Sequence, residues 1–276
     1  MAQNVWMITG ASRGFGAEIA KAVLTAGDKL IATARKLNAL DYLGKNPNVF
    51  AVPLEVTDEP QAKNAVDAGL NQFGRIDVLV NNAGYGLLGA VEETSAQEVE
   101  NIYRTNVFGL LNVTRAVLPS MRKQKSGHII NISSIGGYNS FPGWGVYSST
   151  KFAVEGITES LHGELAPLGI HATVVEPGFF RTDFLDSSSL VKTANVISGY
   201  VDTVGVMRDL MEGHNHHQPG NPSKLAQVVL QLVRTAEPPL RLPLGTDTLK
   251  RIDDKNAFVE GETERWRMVA ASTDSN

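Results

Sequence analysis

Short apolar runs rich in β-branched residues alternate along the chain with longer amphipathic stretches. The runs are VWMIT (5–9), KLIATA (29–34), VFAVPL (49–54), IDVLV (76–80), HIINIS (128–133), IHATVVE (170–176) and LRLPL (240–244). They lack the apolar–polar alternation of a half-exposed hairpin, so they predict strands buried on both faces, as in a parallel sheet. Between them, 14–26, 60–73, 96–122, 147–166 and 223–235 have helical length and patterning. Strand and helix taking turns over this length predict right-handed βαβ units. The expected fold class is α/β: a doubly wound parallel sheet in three αβα layers, forming a single domain. Ligands in such folds bind beyond the carboxyl ends of the strands, so the residues just after each run carry the most information.

Two regions break the rhythm. Residues 179–222 form a connection far longer than a compact domain ordinarily needs. Residues 246–276 form a polar extension with a helix expected around Arg251 to Met268. The division expected is a catalytic unit over 1–245, with 179–222 inserted in it, followed by that extension.

The first run leads into TGASRGFG, Thr9 to Gly16, and then into a helical segment. Glycines 10, 14 and 16 in a turn between a buried strand and a helix let backbone N–H groups approach a pyrophosphate at the helix N-terminus. That context makes the fold Rossmann-type. An acidic residue at the end of the second strand would bond the ribose 2′-hydroxyl of NAD. Here Ala34 stands at that position and Arg35 follows it, with Arg13 in the glycine turn. Two guanidiniums and no carboxylate suit a 2′-phosphate, so the expected cofactor is NADP(H).

The stretch GVYSSTKFA sets a phenol and an ammonium four residues apart. On a helix, Tyr147 and Lys151 share one face. An ammonium beside a phenol favours the phenolate, and a phenol lowered from its usual ~10 can exchange a proton near neutrality. The pair alone is common; the other motifs give it meaning.

Composition removes several classes. The 276 residues include no cysteine, which excludes disulfides, zinc–thiolate sites and thiol nucleophiles. A formal net charge of −4 with no basic block gives no footprint for nucleic acid. MAQNVWMITG has no basic region followed by an apolar stretch, and no run reaches the ~20 residues of a membrane span, so a soluble, cytoplasmic protein is expected. HNHH at 214–217 lies in a loop with no partner cluster at ligand spacing, and solvated histidines are expected there rather than a metal site.

The glycine turn, NNAG at 81–84, a serine after the fifth strand, YSSTK and PGFFRT appear in that order. Residues 3–245 thereby resemble the short-chain dehydrogenase/reductase family, and are similar to its 17β-hydroxysteroid dehydrogenase-like and retinol dehydrogenase-like members. The resemblance implies a tetrad of Asn106, Ser134, Tyr147 and Lys151, with Ser133 the alternative if the register slips. Asn106 would kink its helix and hold a water leading to Lys151. Gly10, Ser12, Arg13, Gly14, Phe15 and Gly16 match the cofactor turn. Glu55 and Val56 match the adenine segment, although the family commonly has aspartate where Glu55 stands. Asn82, Ala83 and Gly84 match the stretch along the adenosine ribose, and Pro177, Gly178, Phe180 and Thr182 the nicotinamide segment. Tyr147 and Lys151 would also touch the cofactor.

The implied reaction interconverts a carbonyl and an alcohol. The 179–222 connection is rich in Leu, Val, Ile and Met, and its periodicity around 190–211 predicts one or two amphipathic helices forming a lid. A bulky apolar small-molecule carbonyl or alcohol is therefore expected as the substrate, with Phe141 and Trp144 as pocket walls beside Ser134 and Tyr147. The helices at 96–122 and 147–166 resemble those that pair subunits in the family, implying a homo-oligomer, a dimer or tetramer. Two rivals remain. One is an NADP(H)-sensing binding protein without turnover; the other is a nucleotide-sugar epimerase or dehydratase, which the glycine spacing disfavours.

Overall fold

The computed structural model describes residues 3–275. Along the chain run β1 (Val5–Ile8), α1 (Gly14–Thr25), β2 (Lys29–Ala34), β3 (Val49–Pro53), α2 (Glu59–Phe73), β4 (Val78–Asn81) and β5 (Gly86–Leu88). There follow α3 (Ala96–Tyr103), α4 (Leu110–Gln124), β6 (Gly127–Ile132), α5 (Gly145–Leu165), β7 (Ile170–Pro177) and β8 (Leu190–Lys192). The chain ends with α6 (Val206–His214), α7 (Pro222–Val233), β9 (Arg241–Leu244) and α8 (Thr246–Ala271). Among the described residues, seven strands form one sheet in the order β3-β2-β1-β4-β6-β7-β9. Every neighbouring pair in it is parallel. The chain grows outward from β1 to β3 and returns beside β1 as β4. That reversal opens a crevice at the carboxyl ends of β1 and β4.

The continuous apolar runs have a direct cause in the layering. Trp6 and Ile8 of β1 enter one apolar layer with Ile19 and Val23 of α1 and Val229 of α7. Val5 and Met7 enter the opposite layer with Val66 of α2, Val117 of α4 and Leu161 of α5. Successive side chains point to opposite faces and both faces are covered, so the strands read as near-continuous apolar runs. Each such side chain, fully buried, contributes ~1.5–3 kcal/mol relative to exposure.

Helix starts follow local chemistry. Asp58 caps α2 by accepting from the Gln61 amide at 2.9 Å. Ser95 and Glu98 form a reciprocal capping box on α3. Asn221 caps α7 by accepting from the Ser223 and Lys224 amides, with Pro222 in the first turn.

Two helical expectations are corrected. Residues 96–122 are not one regular helix: Arg104–Gly109 wind as a π-helical turn between α3 and α4. The stretch around 190–211 is not a helix or pair of helices throughout. Leu190–Lys192 instead pairs in parallel with Gly86–Leu88 as a separate two-stranded ribbon. A 3-10 turn at Ser198–Tyr200 and a π-turn at Val201–Gly205 follow before α6 begins. The free edge of the 86–88 segment offers backbone hydrogen bonds to Leu190–Lys192, and pairing there outweighs a weak helical period. Leu190, Val204 and Met211 are buried, while Val191, Val196, Val201 and Leu210 are exposed. Helix α8 is longer than expected at both ends.

Candidate active site

The crevice is a cleft of about 470 Å³ running from the glycine turn to Tyr147 and Lys151. Its floor begins where β1 ends. Gly10 and Gly14 have φ of +64° and +53°, a region that disfavours side chains. A Cβ on Gly16 would come within 2.3 Å of the Gly10 carbonyl oxygen, so only glycine lets α1 lie this close to the turn. Asn82 Nδ2 donates to the Thr9 and Gly10 carbonyls, both at 3.0 Å. Thr9 Oγ1 accepts from the amides of Asn82 and Ala83 at 2.9 and 3.0 Å. The turn is therefore fixed from β4, and Thr9 belongs to its scaffold although its place in TGASRGFG carried no such signal.

Helix α1 has no side-chain cap and no acidic residue in its first turn. With Ser12, Arg13, Gly14 and Phe15 lining the cleft, that end is suited to an anion. Ala34 and Arg35 line the same end, with no carboxylate on β2. Arg13 Nη2 donates to the Ser188 carbonyl, which ties the glycine turn to the 179–222 connection. Glu55 lines the cleft beside Val56, its Oε1 accepting from both the amide and the hydroxyl of Thr57. A glycine cradle, a bare helix terminus and a long open cleft fit a dinucleotide, which Gly10, Ser12, Gly14, Asn82 and Gly84 would hold.

At the other end, α5 carries Tyr147, Thr150 and Lys151, all buried. Lys151 Nζ donates to the Ile132 carbonyl at 2.9 Å and lies 5.8 Å from the centre of the Tyr147 ring. Ser134 Oγ accepts from the Gly136 amide at 3.0 Å, and its hydrogen bond to the phenol lowers the Tyr147 pKa. Ser133 also lines the cleft, but its hydroxyl faces Glu155, whereas the serine that acts on the phenol is Ser134. The expected lowering of the phenol is corrected: burial outweighs the Ser134 hydrogen bond and pushes Tyr147 up to about 12. Burial also draws Lys151 down to about 8, with Glu155 opposing that fall. Desolvation disfavours both charged forms, and at 5.8 Å from the ring the lysine does not reverse it.

Asn106 sits in the π-turn. Its amide engages both backbone groups of Tyr85 and donates to Thr150 Oγ1 at 3.2 Å. It does not line the cleft, and no hydrogen bond joins it to Lys151. Gly178 and Phe180 also lie off the cleft. Gly178 packs against Asp247 of the last helix, and Phe180 meets Phe15 edge-on with centroids 5.4 Å apart. Pro177 and Thr182 do line it.

Neither Phe141 nor Trp144 lines the cleft; both pack in the apolar cluster that includes Tyr147. Trp144 packs edge-on to Tyr147 at 5.5 Å and stacks with Phe184 at 6.4 Å. Phe141 packs against that cluster and also lies under the Arg251 guanidinium at 4.3 Å. Phe184 of the apolar connection lines the cleft, and so do Asp183, Tyr85, Thr105 and the Ser187 to Ser189 run, which were not singled out. The serine triplet was the one local signal, since a polar run inside an apolar connection marks a solvent-facing or ligand-facing turn.

Glu93 fastens the connection down. Burial works against its carboxylate, but the Ile197 and Ala90 amides and the Arg208 guanidinium hold its pKa below the usual range. His214 Nδ1 faces the Leu210 carbonyl at 2.8 Å and His216 lies 3.3 Å from Asp186. Among the described residues, no group of three or more acidic or histidine side chains could hold a metal ion. Nor is any helix long and apolar enough to cross a membrane.

A doubly wound sheet with a glycine cradle at its crevice, and a buried Tyr–Lys pair at the far end, defines a dinucleotide-type oxidoreductase architecture. The short chain dehydrogenase family profile matches residues 4–192, and the chain belongs to that family. It is 41% identical over 274 residues to oxidoreductase BOA17 of Botryotinia fuckeliana, covering 98% of this chain and 99% of that one. It is 38% identical over 246 residues to the 3-ketodihydrosphingosine reductase of Bacteroides thetaiotaomicron, covering 89% of each. A short-chain dehydrogenase from Streptomyces avermitilis superposes with a TM-score of 0.93 at 40% identity, over 99% of this chain and 100% of that one. ElxO with NADP bound superposes with a TM-score of 0.75 at 28% identity, over 90% and 100%.

Proposed function

We propose that this oxidoreductase reduces a bulky apolar ketone or aldehyde with NADPH, using Tyr147 as the acid. The observation that carries the reading is the single cleft joining Arg35 and the glycine cradle to Ser134, Tyr147 and Lys151. The cofactor, when bound, supplies the hydride. Tyr147 gives its proton to the carbonyl oxygen as charge develops there. Ser134 donates a hydrogen bond to the same oxygen and orients it. Lys151 supports the phenolate that Tyr147 leaves behind, and holds the ribose end of the cofactor. A phenol at about 12 carries its proton throughout the neutral range and so holds the proton that the acid must give.

Arg35 and Arg13 without a carboxylate at Ala34 support NADP(H), and ElxO binds NADP. The Trp144–Phe184 stack beside Tyr147 supports an apolar substrate, in keeping with a relative that acts on 3-ketodihydrosphingosine. The 179–222 connection acts as the lid. A panel of ketones assayed with NADPH and NADH tests the reading: preference for long or bulky apolar ketones with NADPH is expected, and turnover limited to small polar carbonyls would contradict it.

A further inference from the structure

Behind α5, away from the cleft, lies a buried charge cluster that the proposed reaction does not use. Glu155 of α5 and Glu176 of β7 are 4% and 1% exposed. Arg241 of β9 reaches both through one nitrogen: Nη1 donates to Glu155 Oε2, and to Glu176 Oε1 at 2.7 Å. Its Nη2 donates to Glu159 at the rim, and the Tyr138 ring lies 5.7 Å from the guanidinium. Of the other two glutamate oxygens, Glu176 Oε2 has no hydrogen-bond partner and Glu155 Oε1 faces only the buried Ser133 hydroxyl. A methyl placed on Gly137 would meet Ser133 Oγ at 2.5 Å and Glu155 Oε1 at 2.8 Å, so the hydroxyl and that oxygen border the same small space.

One guanidinium does not neutralise two buried carboxylates with a third at its edge. Two buried carboxylates meeting at one guanidinium nitrogen are costly, and a proton shared by the pair removes one buried charge. Burial, with charge repulsion and hydrogen bonding from Glu176 added, brings Glu155 up to about 7, against the pull of Ser133 and Arg241. A groove between α5 and α8, bordered by Glu155, Arg241, Lys255 and Glu260, gives the proton a way to solvent.

We propose that Glu155 and Glu176 share one proton beneath Arg241, and that this acid pair, one helical turn along α5 from Lys151, sets how firmly Lys151 keeps its ammonium charge. The second half rests on the role given to Lys151 above; the shared proton stands without it. When pH rises, the proton passes to water, Glu155 becomes a carboxylate, and its charge supports the ammonium. Glu155 is thus a positioning residue. The charged and titratable groups around it are Lys151 and Glu159 on its own helix, Glu176, Arg241 and Tyr138 on the sheet side, and Lys255 and Glu260 from α8.

Two measurements test the pair. Infrared spectra of the full chain without cofactor should show a protonated carboxyl stretch that titrates near neutrality. That band should vanish in both Glu155→Gln and Glu176→Gln, since one glutamate facing Arg241 ionises readily. A band absent from the wild type, or surviving in both variants, would overturn the shared proton. In pH profiles of ketone reduction, the alkaline limb should fall by about 1 unit in Glu155→Gln, the size expected for one lost neighbouring charge. In Glu176→Gln it should stay or rise, because Glu155 then ionises earlier. Equal shifts in both variants, as loosened packing would give, or no shift in either, would overturn the link to Lys151. Absence of turnover in the wild type would instead count against the proposed reaction, leaving the infrared result intact.

Discussion

Asn106 grips both sides of one residue: its Oδ1 accepts from the Tyr85 amide at 3.1 Å and its Nδ2 donates to the Tyr85 carbonyl at 3.0 Å. The π-turn at 104–109 is what swings this side chain toward the strand-end loop rather than along the helix face. Replacing Asn106 with Ala strips the partners from both backbone groups, each loss costing ~1–3 kcal/mol if the group stays dry. Asn106→Ala should therefore lower the melting temperature by several degrees and reduce turnover, because Tyr85 lines the cleft. An unchanged melting temperature in a thermal scan would show that the grip is not structural.

Arg35 is expected to select the phosphorylated cofactor. A charge-assisted hydrogen bond to a 2′-phosphate is worth ~1.5–3 kcal/mol, so Arg35→Ala should lower kcat/KM for NADPH at least ~10-fold and leave NADH nearly unchanged. Steady-state kinetics with both cofactors measure this. An equal loss for the two would remove Arg35 from the discrimination.

The Glu93–Arg208 pair ties the 179–222 connection to the turn after Ala90. Side chains of Glu93 and Arg208 are 0% and 16% exposed, so removing the cation leaves a buried carboxylate short of its counter-charge. Arg208→Ala should cost about 3 kcal/mol locally. It should also raise KM for bulky ketones while the dissociation constant for NADPH holds, as measured by fluorescence titration. Weakened NADPH binding of the same size would place the effect elsewhere.

His128 gives the fold a distinctive acid sensitivity. Its Nε2 lies 2.9 Å from Thr173 Oγ1, and burial, assisted by the neighbouring His171, lowers its pKa to about 3. Between that value and the ordinary 6.5 the unfolded chain binds a proton that the folded chain refuses. Stability is therefore full above about 6.5 and falls as pH drops toward 3, by on the order of 5 kcal/mol in all. Denaturant titrations at a series of pH values should show this slope in the wild type and a flatter one in His128→Gln. Equal slopes would refute the assignment.

The elements differ in how far the sequence announced them. The strands were legible because two apolar layers leave Met7, Ile8, Leu30 and Ile31 no polar freedom. The glycine turn was legible because Gly10 and Gly16 satisfy backbone constraints that no other residue meets. The connection was not: Leu190 and Val191 pair with a strand edge just over a hundred residues away, a long-range contact that no local period encodes. Phe141 and Trp144, three residues apart, looked alike as aromatics, but one stacks beside Tyr147 and the other beneath Arg251 of the extension. The rise of the Tyr147 pKa was also out of reach, since the spacing to Lys151 is visible in sequence whereas the desolvation around both is not.

The most direct test of the central claim follows nicotinamide absorbance with an apolar ketone and NADPH, comparing the wild type with Tyr147→Phe. The substitution removes one hydroxyl and leaves the ring packed against Trp144 and Phe184. The expected result is turnover in the wild type that disappears in the variant while NADPH binding persists. Retained turnover in Tyr147→Phe would contradict the account.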